Sequence, residues 1–225
     1  MNNPIFGLFL TFLAYYLGLK ISEKVGSGLL NPLLIAIIIS ISVLKAFKID
    51  YSDYMIGASM IQFMIMPATV ALAIPFYKNF DIFLEYKFAI IAGSFVGSLT
   101  ALISIIAFGK LFNLKETVLI SILPKSITTA IALPLAEEYG GIGSISSFAI
   151  TITGLTGVII CEDLFKILKM HGDIPKGASL GTSAHAIGTS KALGISETAG
   201  AIGGLCIVLT GFITVILFPF AIKFI

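Results

Sequence analysis

The chain has no arginine, little charge of either sign and only two cysteines. Charged residues make up 12% of its 225 residues, about half the share found in soluble domains, which excludes an ordinary water-soluble globule. With lysine as its strong base and a formal net charge of +2, it lacks the basic surface that a nucleic-acid partner needs. Cys161 and Cys206 both fall in apolar runs, where a free thiol packs as a small hydrophobe. No second His or Cys stands at ligand spacing from His185, so neither a metal nor another cofactor is implied. Ser126 with Lys125 and His185 does not make a hydrolase, because no Gly-x-Ser-x-Gly elbow frames the serine. The first apolar run has no basic region before it and no cleavage-like site after it, so no signal peptide is expected.

What the chain has in abundance is hydrocarbon. Hydrophobic residues are 57% of it and the mean hydropathy is +1.06. Apolar runs of about 20 residues, the length a helix needs to cross a bilayer, recur from end to end. They are continuous and do not alternate, which rules out a barrel. The expected fold is all-α: a polytopic transmembrane helical protein, multi-pass in the cell's inner (cytoplasmic) membrane, forming one membrane domain over 1–225. Residues 4–21 and 29–47 are plain spans that read as scaffold facing lipid or a second copy of the chain, within a scaffold region 1–50. Residues 53–77 carry Gln62, Pro67, Thr69 and Pro75. Two interior prolines break helical hydrogen bonding, so a broken or re-entrant segment is expected. Residues 88–108 carry a small-xxx-small face (Gly93, Ser94, Gly97, Ser98) suited to close helix packing. Further segments cover 118–136, 145–168 and 201–220; the run 177–193 is too polar to span.

Residues 66–75 and 123–134 share a pattern of proline, then small and hydroxyl residues, then Ala-Ile/Leu-Pro. The match suggests an internal repeat, 53–110 and 114–170, followed by a glycine-rich re-entrant segment 177–195 and a terminal helix 198–223. Duplicated, proline-interrupted segments point to a transporter's binding site; the sequence leaves inverted and parallel arrangements open.

Two polar runs carry the chemistry. Lys125 sits in mid-segment, where an ammonium group is rare and normally faces a cavity or a partner. Ser126, Thr128 and Thr129 put hydroxyl donors beside it, with Thr69 in the first copy. A helix break at Pro124 or Pro134 would add free N–H groups that favour anions. The second run supplies Thr182, Ser183, His185 and Thr189. These residues together would bind a compact anion, a carboxylate or a phosphate, with His185 as donor or proton site. Glu162 and Asp163 read either as a proton or cation site or as the polar end of a span.

Four motifs, Pro67-Ala-Thr-Val-Ala-Leu-Ala-Ile-Pro75, Leu123-Pro-Lys-Ser-Ile-Thr-Thr129, Gly140-Gly-Ile142 and Gly181-Thr-Ser-Ala-His-Ala-Ile-Gly-Thr189, together resemble the LrgB/CidB family. Its members are bacterial antiholin-like membrane proteins related to the plant plastidic glycolate/glycerate translocator. The resemblance covers residues 5 to 222. It implies either control of murein hydrolase activity with a small holin-like partner, LrgA or CidA, or transport of small monocarboxylates such as glycolate, glycerate or pyruvate. Lys176 stands where family members often carry arginine, which would remove a bidentate contact.

Overall fold

The computed structural model describes residues 4–25, 32–64, 67, 70–71, 73–78 and 80–225. Among them every regular element is a helix. The chain divides into two compact units, 1–70 and 71–225.

The first unit holds α1 (Pro4–Val25), α2 (Pro32–Ala46) and α3 (Tyr51–Phe63). Pro32 opens α2, where its missing N–H costs nothing. Both α2 and α3 pack on α1, and glycines set the distance. Gly18 lies against the Pro32 carbonyl and Gly57 against the Pro4 carbonyl, closer than any side chain would allow. A hydroxyl pair, Thr11 with Tyr54 at 2.7 Å, ties α1 to α3. Within the third segment, read from the sequence as 53–77 and broken, the first helix stops at Phe63. Thr69, and most of the expected break around Pro67, lie outside the described residues.

The second unit begins with the short α4 (Ala73–Lys78) and the long α5 (Phe80–Leu111). Then come α6 (Glu116–Ile122), α7 (Thr129–Glu138), α8 (Gly143–Ile167), α9 (Asp173–Ile195) and α10 (Glu197–Ile222). α1, α5, α8 and α10 are long and apolar enough to cross a membrane, and the protein is a multi-pass membrane protein. Helix α5 starts eight residues before the apolar run 88–108, because Asp81, Glu85 and Lys87 extend it without entering that run.

Helices α6 and α7 are arms of a hairpin. Pro124 has no N–H to continue α6, and residues 123–127 turn instead, held by Lys125 N–H to the Ile122 carbonyl at 3.1 Å and Ile127 N–H to the Pro124 carbonyl at 3.2 Å. Helix α7 then brings the chain back. The Ile142 N–H donates to Ser121 Oγ at 2.7 Å, and Ser146 Oγ donates to the Ser121 carbonyl at 2.7 Å. Pro134, the other candidate break, lies inside α7.

Helix α9 is also a hairpin. Its regular backbone fails at Ala184 (φ −125°, ψ 15°) and His185 (φ 42°, ψ −133°). Leu180 and Gly188 would stand about 12 Å apart on one straight helix, yet Gly188 lies directly on the Leu180 carbonyl. Gly177 and Gly181 of the first arm meet Ala199 and Gly203 of α10; Leu193 and Thr189 of the second arm meet Gly200 and Gly203. Arms 173–183 and 186–195 therefore run antiparallel, side by side on α10.

The two hairpins enter from opposite ends of the unit. The base of α6–α7 lies with Gly109 against Leu119 and with Ile225. The base of α9 lies at the other end, with the start of α10, where Lys78 pairs with Glu197 at 3.6 Å. An apolar cluster including Leu102, Leu123, Ile127, Ile150 and Phe218 fills the first end. Smaller clusters around Ile90 and Cys206 and around Cys161 and Leu180 fill the second.

Candidate functional site

The tips of the two hairpins meet beside the middle of α8. Lys125 and Ser126 lie in the turn of the first hairpin, where Pro124 stops α6 and α7 has not yet begun. Ser126 is buried and Lys125 half-buried. Among the described residues the Lys125 ammonium has no carboxylate within 4.0 Å and no hydrogen-bond partner. Instead it lines a cavity of about 660 Å³ together with Ser126, Thr182 and Ser183. Thr100 and Ser104 of α5, Thr153 and Thr156 of α8 and Ser179 of α9 line it as well. The sequence reading passes over these five as ligands. Their signal was present: the α5 pair is four apart and the α8 pair three apart, so each pair shares one face of its helix.

On α8 the lining residues run from Ile152 to Leu168, so the chamber extends from mid-helix to the second end, about 24 Å at helical rise. Towards the first end the apolar cluster of Leu123, Ile127 and Ile150 closes it. A neighbouring cavity of about 770 Å³, lined by Tyr86, His171, Asp173, Ser179, Thr182 and Ser183, shares the last three with the first. Between them Gly97 of α5 approaches the Thr182 methyl so closely that a side chain there would collide with it.

The other expected ligands are placed differently. Thr128 is buried at the N-cap of α7, without a side-chain cap bond, and Thr129 opens that helix; neither lines the chamber. Thr189 is 1% exposed, its hydroxyl unpartnered, and packs towards Gly203. Glu162 pairs with Lys191 at 2.6 Å and Asp163 with Lys166 at 3.5 Å, both on the outer surface near the second end. His185 is 3% exposed and turns towards α8, where its Nε2 lies 3.0 Å from the Ile150 carbonyl. A carbonyl only accepts, so Nε2 carries the proton. A positive φ on a non-glycine residue costs of order 1–3 kcal/mol, which the seat of the ring must offset. Gly154 and Gly157 make that seat: a Cβ at Gly154 would stand 2.7 Å from His185 Cε1, and one at Gly157 would stand 2.7 Å from the Ala184 Cβ. Among the described residues, no three His, Cys, Asp or Glu side chains gather as a metal cage would require.

Chemically, the chamber offers one unpaired cation, several hydroxyls and apolar walls. It can hold a singly charged small anion.

Comparison with known proteins agrees with the resemblance in the motifs. The LrgB-like family model matches residues 11–224. The chain is 34% identical, over 99% of its own length and 97% of theirs, to proteins named antiholin-like protein LrgB from Bacillus cereus (strain B4264) and Bacillus anthracis (strain CDC 684 / NRRL 3495). No solved structure gives a significant match. Family model and full-length relatives agree: the chain belongs to the LrgB-like family.

Proposed function

We propose that the protein is a secondary carrier of small monocarboxylate anions, of the size of glycolate, glycerate or pyruvate, in the bacterial cytoplasmic membrane. The observation that carries this reading is Lys125 at a helix break, without an ion-pair partner among the described residues and facing a chamber in a membrane protein. An ionisable group at such depth is costly and is kept where a solute pathway uses it. Lys125 serves as counter-charge to the carboxylate, and Ser126 and Thr182 donate hydrogen bonds to its oxygens; the Ser183 hydroxyl is given to the Ser179 carbonyl at 2.7 Å. The first N–H groups of α7, just past Lys125, lack helical acceptors and add positive potential. Two broken hairpins entering from opposite ends, with the site between their tips, follow the plan of carriers that alternate access. Here the chamber opens at the second end; transport requires the hairpins to shift so that it opens at the first. Uptake of glycolate, glycerate and pyruvate into proteoliposomes tests this. Lys125→Met should abolish uptake, and a fully active variant would sink the proposal.

A second reading rests on the relatives, whose name favours it over transport. In it the chain is an antiholin-like regulator acting with a holin-like partner such as LrgA or CidA, and a second copy of the chain is a further candidate partner. The exposed aromatic face of α1, Phe9, Phe12 and Tyr16, would then matter more than the chamber. Co-purification of the partner should fall when that face is changed to alanine and persist with Lys125→Met.

A further inference from the structure

We propose that His185 is a positioning residue: as the neutral Nε2–H tautomer it pins the tip of the α9 hairpin to α8, and so fixes Thr182 and Ser183 opposite Lys125. The inference rests on the carrier reading only for what the positioned hydroxyls are for; the pin itself is a matter of geometry.

Three observations converge. The ring does not line the chamber; it is buried, with Nε2 3.0 Å from the Ile150 carbonyl. The seat is cut to its shape, because a methyl group at Gly154 would meet Cε1 at 2.7 Å and Nε2 at 3.1 Å, and one at Gly157 would meet the neighbouring Ala184 at 2.7 Å. The backbone at His185 has φ 42°, a left-handed conformation that a histidine adopts only when its surroundings impose it. Glycine would relieve that strain at once, so what the position gains from histidine is its ring.

The groups facing the ring say which ring form the seat accepts. α8 presents the Ile150 carbonyl and Gly154. The first hairpin brings the Lys125 ammonium within electrostatic reach. The nearest α8 carboxylate, Glu162, is already paired with Lys191 at 2.6 Å on the outer surface. An imidazolium here would carry a second N–H and a positive charge with a lysine as neighbour and no anion to meet it. The neutral ring satisfies its one donor and stays dry.

A carrier that moves protons on this histidine would need the opposite: a ring that reaches the chamber and changes charge as the cycle turns. The run Gly181–Thr189 resembles a proton relay in composition, but the fold uses its histidine as a peg.

The test needs no transported solute. Full-length protein in nanodiscs, labelled with 15N-histidine and assigned by comparison with His171→Gln, should show His185 as the Nε2–H tautomer across about pH 5.5 to 8, the range where a free histidine titrates. An imidazolium forming in that window overturns the proposal. In a Cys161→Ala, Cys206→Ala background, Ser183→Cys reports the set of the tip. Adding His185→Ala should change its maleimide-labelling rate by about tenfold, the scale of one lost buried hydrogen bond, and His185→Gln, which keeps an N–H donor without a titrating ring, should restore the parent rate. An unchanged rate in the alanine variant also overturns it. If both readouts hold while proteoliposomes take up no glycolate, the pin stands and the carrier reading falls.

Discussion

At the tip of the α6–α7 hairpin a lysine faces an open chamber; at the tip of α9 a histidine is shut into a notch of α8. Both hairpins break a helix inside the second unit, and both leave backbone groups without helical partners, which hydrocarbon does not forgive. They meet that demand in different ways. The first uses a proline and tight-turn hydrogen bonds, and leaves its polar side chain free for a ligand. The second uses a strained backbone and a side-chain anchor, and spends its polar side chain on structure. The difference teaches that a polar residue at membrane depth is not by itself a ligand. What it touches decides.

The largest test of that contrast is Lys125→Met. Loss of a charge-assisted contact should weaken glycolate or pyruvate binding by roughly ten- to a hundredfold, read by isothermal titration on the purified protein. Stability should stay level or rise, because a half-buried charge without a partner is removed. A variant that binds as tightly as the parent would erase the distinction between the two tips.

Next comes the packing of the second hairpin on α10. Gly181→Ala drives a methyl group into the Gly203 carbonyl and should cost about 1–3 kcal/mol or more, as overpacking does. Gly93→Ala, where nothing stands within 4 Å of the added carbon, should instead stabilise the helix by roughly 0.5–1 kcal/mol. Thermal unfolding in detergent compares the pair.

The helix caps give a smaller contrast. Ser196 Oγ accepts from the Ala199 N–H at 3.0 Å at the start of α10, so Ser196→Ala should cost about 1 kcal/mol. Thr128 makes no such bond at the start of α7, so Thr128→Ala should cost only a few tenths of that (roughly 0.3 kcal/mol). Equal losses would show that the first hairpin leans on its threonine after all. Smallest of all is Glu162→Gln. Its pairing with Lys191 is 2.6 Å long, but the side chains are 61% and 34% exposed, so the change should cost at most about 1 kcal/mol and vanish in high salt.

The helical, membrane-crossing character was plain in the sequence because apolar runs of spanning length leave little choice. The α8 and α10 segments fell within a few residues of the expected 145–168 and 201–220. The break near Lys125 was legible too, since Pro124 followed by four polar residues in five cannot continue an apolar helix. Less legible was the point at which the expected re-entrant run 177–195 turns back inside α9. It falls on Ala184 and His185, with no proline, and the flanking glycines serve contact with Leu180 and Gly203, not the bend. A positive φ on histidine is imposed by α8, some 30 residues away in the chain, and no local pattern announces it. For the same reason the seat that Gly154 and Gly157 make for His185 could not be read from the sequence. Thr128 and Thr129 were grouped with Lys125, and Thr189 with His185, by proximity in sequence, whereas the folded chain groups Thr100, Ser104, Thr153, Thr156 and Ser179 with Lys125 by helical face.

That no carboxylate among the described residues pairs with Lys125 has an electrical consequence. Loaded with a monoanion, the chamber is neutral; empty, it holds one net positive charge. If the hairpins carry that charge through part of the membrane field, the unloaded step feels the voltage and the loaded step does not. A full crossing would be worth about 2.3 kcal/mol per 100 mV. The direction of net flux would then follow the sign of the membrane potential, even for a carrier that moves no other ion.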